Sequence, residues 1–144
     1  MIELRPVAGE PELLDPAVTG AFAEQMAALA ATPQVEPWCG YIGWRGDIPV
    51  GFGGFTAALD AAGVTELGYL TFPAHERTGV ASAVCAGLVA IARDNGATAL
   101  IAHTLPSEGP STRVLAKCGF ARDGVAIDRD EGEVWRWRLV LATE

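Results

Sequence analysis

Between Val64 and Ile91 the chain changes its hydrophobic period once, and a single glycine marks the change. Val64–Phe72 is built largely of β-branched, aromatic and leucine residues and reads as a strand. Turn residues follow from Pro73 to Thr78. Val80, Val84, Leu88 and Ile91 then recur at spacings of 4, 4 and 3, which is one face of a helix. Gly79 stands at the join. A helix start leaves backbone N–H groups without partners, and the helix dipole adds positive potential there. The join is therefore a ready anion site. Gly79 lets a phosphate approach the backbone, and the small Ala81 keeps the next position open. The bland alternative is an ordinary strand–turn–helix connection, because short glycine motifs are frequent.

The rest of the chain supplies partners for this unit. Met1–Pro6 reads as a short first strand. Asp15-Pro16 starts a helix whose apolar positions are Val18, Phe22, Met26 and Leu29. Trp38–Trp44 and Val50–Ala57 form a hairpin across Arg45-Gly46-Asp47, and Val64–Phe72 is the third strand of that meander. Asp94-Asn95-Gly96 ends the central helix. Ala97–His103 is a strand and Pro110–Cys118 a short helix with Gly119 after it. Phe120–Ile127 and Val134–Leu141 pair across Asp128–Gly132. No repeat or linker interrupts this order, so residues 1–144 read as one domain of α+β (mixed α/β) class.

Composition narrows the function. Ten Lys+Arg against 18 Asp+Glu give a net charge of −8. That balance argues against non-specific nucleic-acid binding, which needs a basic face. It suits a cationic substrate. The longest apolar run, Ala83–Ala92, falls far short of the roughly 20 residues that span a bilayer. No charged-then-apolar signal segment opens the chain, so no membrane association is expected. Cys39, Cys85 and Cys118 are an odd number without metal-ligand spacing, which points to a reduced, cytoplasmic compartment and no metal site.

A set of motifs in fixed order then carries a resemblance. Glu66-Leu67-Gly68-Tyr69 is followed by Glu76-Arg77-Thr78-Gly79-Val80-Ala81 and by Pro106-Ser107-Glu108-Gly109-Pro110-Ser111. Val114-Leu115-Ala116-Lys117-Cys118-Gly119-Phe120 and Gly132-Glu133-Val134-Trp135 complete it. From Val64 to Leu141 the chain resembles the GNAT superfamily of acyl-CoA-dependent N-acetyltransferases. Within it, the chain resembles the Rim-type branch that acetylates ribosomal-protein N-termini. Residues 1–63 match only in element order.

The resemblance implies a GNAT-like bent mixed sheet of about six to seven strands with three to four helices, splayed between strands four and five. It implies acetyl-CoA as co-substrate, without a metal. The backbone of Leu70, Thr71 and Phe72 would pair with the pantetheine arm, with the Leu70 N–H aimed at the thioester oxygen. The N–H groups of Arg77, Thr78, Gly79, Val80, Ala81 and Ser82 would hold the pyrophosphate. Glu66 would accept the amine proton, directly or through water, and Ser111 would sit beside the leaving sulfur. Phe120 would pack under the cofactor side of the last strands. The general acid is left open among Ser111, Cys118 and water, since neither Tyr41 nor Tyr69 stands where the family often has its tyrosine. Cys118 also reads as a packing thiol.

These inferences make the chain an acyltransferase that moves acetyl to a primary amine, on a small molecule or a peptide N-terminus. Polyamines, aminoglycosides and basic N-termini suit its charge. Two departures support an alternative. Glu76 stands where the family usually has Arg or Gln, and Glu108 where it usually has Asn, a residue that can donate as an ionised Glu cannot. The alternative is a non-catalytic acyl-CoA-binding or regulatory module on the same fold; a third reading is an interaction domain without cofactor. His75 reads as a solvated loop residue, while His103, ending its strand, is a candidate for the acceptor site. Trp38, Trp44, Trp135 and Trp137 read as core and sheet-face residues, and the apolar last strand as a homodimer contact.

Overall fold

The computed structural model describes residues 2–7, 19–20, 36–76 and 78–141. Seven strands form one sheet: β1 Glu3–Pro6, β2 Gly40–Arg45, β3 Ile48–Phe55, β4 Val64–Thr71, β5 Ala99–Thr104, β6 Ala121–Asp128 and β7 Gly132–Val140. Their order in space is β1-β2-β3-β4-β5-β7-β6. Every neighbouring pair is antiparallel except β4 and β5. A parallel pair needs a crossover, and helix α1 (Val80–Asp94) provides it. Helix α2 (Pro110–Lys117) joins β5 to β6, and a short 3-10 turn spans Pro73–His75. Two α-helices among the described residues is fewer than the three to four expected. The helix read from Asp15 onward lies outside the described residues except at Thr19 and Gly20.

The element boundaries follow local chemistry. Gly46, in the turn between β2 and β3, has φ +64°, and Gly96, just beyond α1, has φ +90°. Strand β4 stops at Thr71, so Phe72 lies just beyond it, fully buried.

Sheet and helix meet through missing side chains. Gly51 and Gly53 of β3 face α1, and a Cβ on Gly53 would stand 2.5 Å from Val84 Cγ1 and 2.8 Å from Leu88 Cδ1. Val80, Val84 and Leu88 of the helical face read from sequence are all buried, as is Cys85 between them. Ile42 and Phe72 form a second cluster with Trp44, Phe52 and Leu70. Alternation along the strands puts Phe52 and Leu70 on the face opposite α1. Because the interior is close-packed, Gly53→Ala is expected to lower stability by about 1–3 kcal/mol. A urea melt checks this, and an unchanged midpoint would mean that α1 is not seated on this strand as described.

The tryptophans behave as packing residues. Trp137 is buried, with Nε1–H donating to Thr104 Oγ1 at 3.0 Å. Trp38 meets the Phe55 ring edge-on at 5.0 Å between centroids. The Arg122 guanidinium lies 4.1 Å from the centre of the Trp135 ring.

Candidate active site

The parallel ladder between β4 and β5 has three register pairs and ends at Glu66↔Ile101. On its other side β4 stays paired with β3 as far as Gly51↔Thr71. Past Glu66, therefore, one edge of β4 is open. The register decides which groups face the opening. Thr56 N–H donates to the Glu66 carbonyl, and Phe72 N–H donates to the Val50 carbonyl. Antiparallel pairs alternate, so Glu66, Gly68, Leu70 and Phe72 direct their backbone groups to β3. Tyr69 and Thr71 direct theirs into the opening. The backbone roles expected of Leu70 and Phe72 are corrected accordingly: their N–H groups are turned toward β3. Thr71 and Tyr69 are the residues of this stretch whose backbone groups face the opening.

The opening continues into a cleft of about 880 Å³. Tyr69, Leu70 and Thr71 form its floor; Gly79, Val80, Ala81 and Ser82 form one wall. Pro110, Ser111 and Val114 of α2 form the other. Gly79 sits at φ +83°, a left-handed conformation that turns the chain sharply into α1 at little steric cost only without a Cβ. No side chain caps α1, and the first turn leaves its leading N–H groups free. The loop before it is held by Thr78 Oγ1–H donating to the His75 carbonyl at 2.6 Å and by Arg45 Nη2–H reaching the Thr78 carbonyl at 3.4 Å. Thr78 is exposed and does not line the cleft. Arg77 lies outside the described residues.

Tyr69 ties floor to wall. Its hydroxyl donates to the Ser111 carbonyl at 3.2 Å. Burial pushes this phenol well above its usual range, reinforced by the nearby Cys85 and Cys118 thiols, so it stays a protonated donor. Burial likewise raises the Cys85 thiol. Cys118, half-buried at the end of α2, directs its thiol to the Ser82 carbonyl at 4.0 Å, a packing contact.

The two acidic departures separate in space. The Thr112 hydroxyl has the Gly109 carbonyl at 2.8 Å and Glu108 Oε1 at 3.2 Å as acceptors for its one proton, and itself accepts from the Gly109 N–H at 3.0 Å. Glu108 thus helps to fix the start of α2 and does not line the cleft. Glu76 does line it, with an exposed side chain.

On the face of β4 opposite α1, Glu66 Oε2 accepts from His103 Nδ1 at 2.9 Å. The two side chains are 40% and 28% exposed, so both remain within reach of a bound molecule. His103 stands opposite Arg136 of β7, whose guanidinium is paired with Asp123 at 3.2 Å. At the β6–β7 turn the N–H groups of Glu131 and Asp130 donate to Asp128 Oδ1 and hold its carboxyl below the usual range.

A family model for the acetyltransferase (GNAT) domain matches residues 6–121. The chain belongs to the GNAT acetyltransferase family. Among curated proteins no sequence matches this GNAT domain. Solved structures do. An aminoglycoside acetyltransferase, AAC(6')-Ib in complex with coenzyme A, superposes with a TM-score of 0.76 at 18% identity, covering 97% of this chain and 95% of that one. A spermidine N-acetyltransferase chimera of Vibrio cholerae SpeG and hSSAT gives 0.80 at 11% identity, covering 97% and 95%. The acetyltransferase yncA of Salmonella typhimurium, with its cofactor acetyl-CoA, gives 0.67 at 16% identity, covering 99% and 95%. At these identities the likeness establishes the fold.

Within the GNAT framework the sequence motifs fall where the cleft is. Gly79, Val80, Ala81, Ser82, Leu70, Thr71 and Ser111 line it, and Glu66 stands at the point where the strands part. Sequence reading missed Arg113 and Lys117, which line the α2 wall. Their spacing of four on a short helix carried that signal. Among the described residues, no His, Cys, Asp and Glu side chains cluster as a metal site, and no helix is long and apolar enough to cross a membrane.

Proposed function

We propose that this domain transfers acetyl from acetyl-CoA to a primary amine by direct attack. The observation that carries the reading is the open edge of β4: the ladder to β5 ends at Glu66, which His103 holds, and beyond it Tyr69 and Thr71 line a cleft shared with the bare N-terminus of α1. The donors and acceptors fit the co-substrate. Tyr69 and Thr71 offer backbone groups to the pantetheine amides as a neighbouring strand would. The N–H groups of Gly79 to Ser82 suit a pyrophosphate. The donor set is all N–H and hydroxyl, which matches carbonyl and phosphate oxygens.

An ammonium must lose a proton before its nitrogen can attack. Glu66 takes that proton, directly or through one water, and the His103 N–H holds the carboxylate in place. The amine nitrogen then bonds to the thioester carbonyl carbon, the carbon–sulfur bond breaks with the electron pair going to sulfur, and the second proton lost by the nitrogen passes through solvent to that sulfur, leaving the amide and the CoA thiol. The Tyr69 or Thr71 N–H faces the side on which charge gathers on the carbonyl oxygen. Ser111, on the α2 wall, donates to the departing sulfur. The acceptor is a small-molecule amine or a peptide N-terminus, cationic before it reacts, which the net charge of −8 favours.

Calorimetric titration with acetyl-CoA and with CoA tests the cofactor assignment, followed by turnover across polyamine, aminoglycoside and peptide acceptors. Micromolar binding with turnover is the expected result. Binding without turnover on any amine would favour a non-catalytic acyl-CoA module.

A further inference from the structure

Lys117 is the only lysine in the 144 residues. It lines the cleft, and so does Arg113, one turn earlier on the same face of α2. Both are exposed, and neither joins an ion pair among the described residues. Two unpaired cations within one helical turn are notable in a chain of net charge −8. Across the cleft from them stands the N-terminus of α1, which has its own N–H groups for an anion. Among the described residues, Glu76 is the only acid that lines this cleft.

Coenzyme A presents two anionic groups, the pyrophosphate and the 3′-phosphate of its ribose. The α1 N-terminus suits the pyrophosphate. The phosphate monoester is close to a dianion at neutral pH and calls for point charges rather than backbone donors. We infer that Arg113 and Lys117 form a two-cation clamp for the 3′-phosphate, so that the domain distinguishes coenzyme A from dephospho-coenzyme A. The clamp rests on the cofactor assignment proposed above. Arg113 supplies a planar fork and Lys117 a compact charge, a pairing that meets a tetrahedral phosphate from two directions.

Calorimetry of the wild-type domain and of Lys117→Gln and Arg113→Gln, each with CoA and with dephospho-CoA, tests the clamp. The wild type is expected to bind CoA at least about 10-fold more tightly than dephospho-CoA, the scale of one charge-assisted contact. Each variant is expected to lose about 10-fold in CoA affinity and to keep its dephospho-CoA affinity. Equal losses for both ligands would assign the cations to the pyrophosphate and overturn the clamp, as would no loss for either. A wild type that binds neither ligand would instead defeat the cofactor assignment itself. The single lysine permits an independent readout, since an amine-selective reagent can modify one side chain only. CoA is expected to protect Lys117 from that reagent in a mass-spectrometric assay, and dephospho-CoA to leave it reactive. Equal protection by both ligands would again overturn the clamp.

Discussion

Replacing Glu66 by glutamine is expected to lower kcat at neutral pH by about 10²-fold, the lower end of what a positioned base contributes. The affinity for acetyl-CoA should not change. Glutamine has the same shape, and its carbonyl oxygen can still accept from His103 Nδ1, 2.9 Å from the carboxylate. The substitution therefore removes proton-accepting power while leaving the strand and its neighbour in place. Glu66 also lies on the last register pair before β4 and β5 part, and its backbone is turned to β3 rather than into the cleft. Cofactor contacts are thus separable from the change. Initial rates at saturating acetyl-CoA, with calorimetry on the same sample, make the measurement. A variant that turns over like the wild type would remove Glu66 as the proton acceptor.

Gly79→Trp is expected to weaken CoA binding by about 10²-fold or more, because the site depends on free N–H groups that an indole at this position would cover. The fold should survive. A Cβ at Gly79 meets no atom within 4 Å, so the substitution creates no clash inside the protein. It does place a side chain on a residue at φ +83°, which costs about 1–2 kcal/mol. The thermal midpoint should therefore fall by a few degrees while the circular dichroism spectrum is retained. Retained affinity in a folded variant would mean that the anion site lies elsewhere.

Strands, helices and their order were legible from local pattern. The 4, 4, 3 spacing marked the buried face of α1, and the turn glycines marked its ends and those of the β2–β3 hairpin, because these features depend on near neighbours in sequence. The glycine turn that opens α1 was equally legible, since Gly79 and the helix it opens are contiguous. Other features depended on pairing between distant segments. Whether Leu70 or Tyr69 offers its N–H to the cleft is set by the β3–β4 register, and a one-residue slip exchanges them. Glu108 looked like a damaged cofactor contact in sequence, yet it binds Thr112 at the start of α2.

The sequence by itself determined the class of fold, the family motifs from Val64 to Leu141 and the glycine-marked start of α1, all from short-range periodicity and backbone chemistry. Only the tertiary structure decided which backbone groups stay unpaired, that Glu66 meets His103 across 37 residues, and that Arg113 and Lys117 look across at α1. The physical reason is that a parallel pair is joined through a crossover: β4 and β5 touch for three residues and then part. Local pattern records which residues can form each strand, but the place where two strands separate is a property of their register, which joins residues 35 positions apart.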